Sequence, residues 1–199
     1  MDGTWIRPVS ANDDGSLSYA ERILHNGKDP ELLDLISIPL ERHAPEPDQP
    51  ENWLITGEGW GLQGSLTAKR AEQLFDANLF RGRDLFGYTS HDQLETTVQE
   101  DPIDRSLLLI EPDSLRLAYE PNPPRLAYRA YVTFAGKTYD LGMTDPATQA
   151  IMETLGKGNY GPDLGGKRPA SGRTFLCVSL GGVSDGRSYR LVEGVITIA

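Results

Sequence analysis

Apolar residues along this 199-residue chain recur in short runs separated by glycine, proline or acidic turns, and most runs have the length of a strand. Trp5-Ile-Arg-Pro-Val9 predicts a short strand ended by its proline. Ser18 and Glu21 have capping-box spacing, which predicts a helix over 19–25 stopped by Asn26-Gly27. Leu32 to Ile38 is too continuously apolar for a one-sided strand. It predicts a strand buried on both faces or set in a small barrel, with Pro39 as its end. His43 to Pro50 carries Pro45, Pro47 and Pro50 and is expected to be an extended loop. Trp53-Leu-Ile55 resumes a strand. There the tryptophan is expected to pack, and Asn52 to tie down backbone left unpaired by the prolines. The glycines around Trp60 predict a bent strand. Thr67 is placed to cap a helix through Ala77, with Ala71, Leu74 and Phe75 on one face. Leu79 to Tyr88 is a connector. Ser90 and Gln93 repeat the capping-box spacing and predict another short helix, broken at Asp101-Pro102.

The second half is plainer. Strands are expected over 106–110 and 114–119, then over 126–134, where Tyr128, Ala130, Val132 and Phe134 face one way and Arg129, Tyr131 and Thr133 the other. Ala135-Gly136-Lys137 turns the chain into a hairpin partner over 138–143. Thr144-Asp145-Pro146 starts a helix that Gly156 ends. Gly158 to Gly172 reads as a mobile loop, and the last strands cover 174–180 and 189–198. Short strands with one or two helices in each half outline a small barrel with a helix between strands, as in OB-folds.

Charge divides the chain. Residues 1–100 hold 8 Lys+Arg against 18 Asp+Glu, whereas residues 101–199 hold 11 of each, so the formal net charge of −10 lies entirely in the first half. The boundary of two domains, 1–101 and 102–199, is placed at this change. The first half offers phosphate no long-range attraction, so a nucleic-acid surface has to be a local patch; an acidic face equally suits a basic partner. One cysteine, Cys177, excludes an internal disulfide and a cysteine metal cluster, and no apolar run approaches a membrane span, so a cytoplasmic location is expected.

Candidate chemistry is sparse. His25, His43 and His91 are isolated, so no metal and no cofactor are expected. Gly161 to Lys167 has the spacing of a phosphate loop. Arg168 stands where the hydroxyl residue belongs and no strand enters, which rejects a nucleotide site there. Ser10 and Ser179 lie outside any nucleophile elbow, Asp13-Asp14 reads as a solvated turn, and no catalytic residue is assigned. Two surfaces could take a single strand. Arg129 and Tyr131 beside Lys137 put a stacking ring between cations, helped by the basic loop with Lys167, Arg168 and Arg173; Trp5 with Arg7 is similar. The same residues read as an ordinary strand face, an exposed loop, and a core tryptophan with an ion-paired arginine.

Trp5-Ile-Arg-Pro-Val-Ser10, Pro30 to Pro39, Gln49-Pro-Glu-Asn-Trp-Leu-Ile55, Ser106 to Ile110, Thr144-Asp-Pro146, Leu176 to Gly181 and Tyr189 to Val192, in that order and spacing, resemble the dual OB-domain family of bacterial and archaeal proteins. The resemblance implies a mainly β fold with short helices, built as two consecutive OB-like barrels. It also implies a role in nucleic-acid or nucleotide recognition, often in antiviral defence loci. Together with the Arg129, Tyr131 and Lys137 patch this reads as a non-enzymatic module for single-stranded nucleic acid or nucleotide. The alternative, from the −10 charge and the edge that a missing strand would leave open, is an assembly subunit of a defence complex. Relatives usually carry a further strand ahead of the Trp-Ile-Arg-Pro stretch. Either the first barrel lacks that strand or the start lies upstream; in the first case the open edge invites a protein partner or a homodimer.

Overall fold

The computed structural model describes residues 4–12, 15–87, 93–95, 103–121, 127–181 and 187–199, with backbone alone at 93–95 and 187. Asp13-Asp14, Ser90, His91 and the turns expected at 122–124 and 182–186 lie outside the described residues.

The first half opens with β1 (Arg7–Val9) and α1 (Tyr19–Arg22). Glu21 reaches back to accept from the Ser18 N–H at 2.8 Å, as the capping-box spacing requires. β2 (Asp34–Ser37) and β3 (Leu40–His43) follow, divided by Pro39, then β4 (Asn52–Ile55). β4 lies between β1, to which it is parallel, and β3, to which it is antiparallel. β5 (Gly61–Ser65) pairs back along β2. α2 (Ala68–Asn78) starts where Thr67 accepts from the Arg70 N–H, and β6 (Gln93–Glu95) ends the half.

In the second half β7 (Leu107–Ile110) is separated from β8 (Ser114–Tyr119) by only Glu111-Pro112-Asp113. β8, β9 (Tyr128–Phe134) and β10 (Lys137–Met143) form an antiparallel meander. α3 (Pro146–Leu155) follows, capped by Asp145 with proline in its first turn. β11 (Gly158–Tyr160) pairs with β8, and β12 (Arg173–Leu180) and β13 (Arg187–Ile198) form the closing hairpin. β13 runs parallel to β10, and β12 pairs with β7. β7 and β8 thus act as one bent strand that meets both ends of the sheet, which is the strand order of an OB barrel.

The first half repeats part of this plan. A strand, a helix and two more strands are arranged so that the last strand is parallel to the first and antiparallel to the third: β1, α1, β3, β4 and, again, β10, α3, β12, β13. The repeat is one of topology. The β8–β9 meander has no counterpart among the described residues of the first half.

The barrel core holds Leu108, Ile110, Leu117, Ala130, Val132, Tyr139, Leu141, Met143, Met152, Leu176, Val178, Val192 and Val195, all buried. Residues of the 79–87 segment join it: Leu85 is fully buried, and Phe80 and Phe86 pack alongside. Leu109, Phe175 and Ile198 point to the opposite side of the same sheet, where Ala71 and Phe75 of α2, Trp5, Leu33 and Leu66 cover them. β7 is therefore buried on both faces, which explains its unbroken apolar run.

Three expectations are corrected. The strand buried on both faces is β7 and not the Leu32–Ile38 run; β2 is only half-buried because it belongs to a two-stranded ribbon. The segment at Gln93 is a strand on β13 and not a helix, since pairing outweighs a capping preference worth about 1 kcal/mol. The glycine-rich 158–172 stretch is folded. Its first residues extend the sheet as β11, and Leu164 is fully buried beneath a chain of turns from Gly161 to Arg168. Leu40–His43, where no element is expected ahead of the loop at His43, forms β3. No helix among the described residues is long and apolar enough to cross a membrane.

A polar groove on the first strand unit as candidate binding site

Strand pairing sets the floor of the groove. Arg7 is opposite Asn52 and Val9 opposite Leu54, while Arg42 of β3 is opposite Leu54, so these five side chains share one face of the β1–β4–β3 sheet. Trp53 points to the other face and packs against His43, with ring centroids 5.1 Å apart. One wall is formed by residues 10–12 and 15–17 with Arg22 of α1; the other is the 44–49 loop; Glu193 of β13 also lines the groove. The groove is an open cleft with a volume of about 1320 Å³.

Local hydrogen bonds fix both walls. The Ser10 N–H donates to the Gly15 carbonyl at 3.0 Å, with Gly15 at φ 68°. The Ser10 hydroxyl donates to Glu21 at 2.6 Å, and this bond is the main reason the Glu21 carboxyl titrates below its usual range. In the second wall Glu46 and Gln49 exchange backbone bonds at 3.2 and 3.0 Å, and Ala44 donates to the Asn52 carbonyl at 2.9 Å. His43 Nε2 bonds the Pro50 carbonyl at 2.7 Å. Pro45, Pro47 and Pro50 stiffen the loop that these bonds hold.

Within this frame three buried polar atoms have no hydrogen-bond partner: Arg7 Nε, Asp48 Oδ2 and Asn52 Oδ1. All three belong to residues that line the groove. Asp48 is 9% exposed and Asn52 5%. The Asn52 amide Nδ2 donates to Gln49 Oε1 at 3.1 Å, which leaves its oxygen as a buried acceptor without a partner among the described residues. The expected role for Asn52 is thus corrected: its side chain ties down no proline-freed backbone. Buried polar groups are nearly always paired, and three of the nine unpartnered atoms among the described residues belong to residues of this one cleft, which makes it the candidate site.

The groove adjoins the seam between the halves. Glu51 accepts from the Ser106 N–H and hydroxyl, both at 2.7 Å, and from the Leu107 N–H at 3.3 Å. Arg7 donates to the Ser106 hydroxyl at 3.2 Å and lies 3.8 Å from Glu193.

The residues singled out from sequence are dispersed. Arg129 is 3% exposed and bonds both the carboxylate and the carbonyl of Asp140 at 2.8 Å. Lys137 is in register with Phe134, hence on the opposite face from Tyr131, and lies 3.5 Å from Asp84. The expected Arg129–Tyr131–Lys137 patch is therefore corrected: these three do not share a surface. Tyr131 instead lies beneath the guanidinium of exposed Arg116, 3.7 Å from its ring centroid. Arg168 reaches inward to Thr148 at 2.7 Å and Asp145 at 3.8 Å, and burial lowers its pKa. Arg173 holds Glu111 at 2.6 Å and Asp76 at 2.8 Å, and these hydrogen bonds raise its pKa. Lys167 is exposed. Trp5 is partly buried against the cluster of Ala71, Leu109, Phe175 and Ile198, whereas Arg7 lines the groove.

Sequence reasoning missed Asp48 as a site residue. The usable signal was a carboxylate and two amides, Asp48, Gln49 and Asn52, inside a proline-stiffened loop, where polar groups are held in place before any ligand arrives.

No curated protein and no solved structure matches the chain. A family model described as the dual OB-containing domain matches residues 1–195. With that match, and with an OB strand order in the second half and part of it in the first, the chain belongs to the dual OB-containing domain family.

Proposed function

We propose that the chain is a non-enzymatic OB-fold recognition module, and that the groove over β1, β4 and β3 receives an extended segment of a protein partner. The observation that carries this reading is that three unpartnered buried polar atoms belong to residues lining one open cleft. Its volume of about 1320 Å³ exceeds the ~300–1,000 Å³ of small-molecule sites, which favours a chain-like ligand. Charge favours polypeptide over polynucleotide. The half that carries the groove has a balance of −10, and Arg7, Arg129, Lys137, Arg168 and Arg173 each sit within 3.8 Å of a carboxylate. Counterion release from phosphate needs cations that are not already neutralised.

A second reading, single-stranded nucleic acid or nucleotide, is favoured by one observation. Arg116 stacked on Tyr131 presents a guanidinium plane on the outer face of β8 and β9, where a base can stack. An assembly role in a prokaryotic defence complex, in the cytoplasm, is the wider setting of the first reading and rests on the family resemblance.

Parallel selections on the purified chain test both readings, one from displayed random peptides and one from random single-stranded oligonucleotides. Peptides are expected to enrich, to lose binding in Val9→Trp, which fills the groove, and to keep it in Arg116→Ala. Enrichment of oligonucleotides alone, lost in Arg116→Ala and kept in Val9→Trp, would overturn the first reading in favour of the second.

A further inference from the structure

We infer that Asp48 and Asn52 form an anchor subsite, within the proposed groove, for a lysine or arginine side chain of the bound segment. This rests on the groove being the binding surface and goes further by naming what it selects. Asp48 is nine-tenths buried and has no hydrogen bond or ion pair among the described residues. An unpaired carboxylate in that position is costly to the fold unless something cationic arrives. Asn52 adds a second acceptor, since its amide nitrogen is committed to Gln49. Two buried acceptors, one of them charged, call for a ligand group that carries several N–H donors and a positive charge, which describes ammonium and guanidinium groups.

The arginines of the groove do not fill this role. Arg7 is turned toward Glu193 and Ser106, and Arg22 holds Asp29 at 3.0 Å. Arg42 is exposed, on the β3 edge of the floor. The loop backbone is held by the Glu46–Gln49 pair and the Ala44–Asn52 bond, so a cation that reaches the two acceptors meets a fixed main chain. The −10 balance of the surrounding half steers a basic segment toward it.

Nuclear magnetic resonance titration of the isotope-labelled chain tests the subsite with defined probes: N-acetyl-arginine amide, N-acetyl-lysine amide, the uncharged N-acetyl-norleucine amide, and cytidine, which carries an amino edge without a charge. The Asn52 side-chain amide and the Asp48 backbone amide are expected to shift saturably with a cationic probe and not with norleucine. Asp48→Asn is expected to weaken that binding about tenfold or more with the remaining spectrum intact, and Asn52→Asp to preserve or tighten it. Equal response to norleucine, a response to cytidine alone, or unchanged binding in Asp48→Asn would overturn the subsite. Selected peptides that need the groove yet bind Asp48→Asn as well as the parent chain would remove the subsite and leave the groove reading standing.

Discussion

Two aspartates, one in each strand unit, are buried to nearly the same extent and are served in opposite ways. Asp145, at the start of α3, accepts from the Ala147 N–H and the Val195 N–H at 3.1 Å and from the Thr148 hydroxyl, and it faces Arg168 at 3.8 Å. Asp48, in the loop ahead of β4, has no partner among the described residues. The surrounding units differ in the same sense. The second closes around a core of fully buried side chains, and its buried cations Arg190 and Arg168 reach carbonyls or carboxylates, although Arg168 Nη1, Ser179 Oγ and Thr197 Oγ1 have no partner among the described residues. The first leaves the β1–β4–β3 face open as a groove whose floor carries charged and amide groups. One topology thus serves two ends. A fully partnered aspartate knits the fold, and an unpartnered one lines an open cleft.

The largest effect expected on this comparison is at Asp145. Asp145→Ala leaves Arg168 buried without its carboxylate and strands the Val195 N–H, so a loss of about 3–5 kcal/mol is expected in chemical denaturation. Leu117→Ala in the barrel core is expected to cost about 2–5 kcal/mol, whereas Val9→Ala on the half-buried groove floor falls well below that range; equal losses would remove the distinction between the units. Glu51→Gln at the seam is expected to cost about 1–3 kcal/mol, since the Ser106 and Leu107 N–H groups lose their charged acceptor.

The smallest effect is one of pH. Asp76 and Glu111 are held below the ordinary carboxylate range chiefly by hydrogen bonds from Arg173. Groups depressed in the folded state contribute stability above their unfolded pKa of about 4, and that contribution is lost as pH falls through the lower folded values. Acid titration of thermal stability is therefore expected to show a decline below about pH 4, shallower in Arg173→Gln. An unchanged slope in that variant would deny Arg173 this role.

Local signals in the sequence were legible where local rules decide. Thr67 and Asp145 with Pro146 started their helices as their capping chemistry requires. The alternation from Tyr128 to Phe134 identified the core-facing residues of β9. What failed was phase across a turn. Ala135 and Gly136 at φ 50° and 73° make a tight hairpin that sets Lys137 opposite Phe134, on the core side. The burial of Arg129 was equally hidden: Gly142 stands opposite it and leaves room for the guanidinium to reach Asp140 diagonally. The groove was hidden for a deeper reason. Whether Asp48 and Asn52 have partners depends on what folds around them, and the polar, proline-rich composition of the stretch does not decide it.

The unfolding free energy of Asp48→Asn, measured beside the parent chain at neutral pH, tests the central claim most directly and needs no knowledge of the ligand. A carboxylate kept for recognition gives no stability to the unliganded chain, so the variant is expected to be as stable or more so, by up to about 2 kcal/mol. A loss of more than about 1 kcal/mol would mean that Asp48 is a structural residue like Asp145, and the distinction between the two units would collapse.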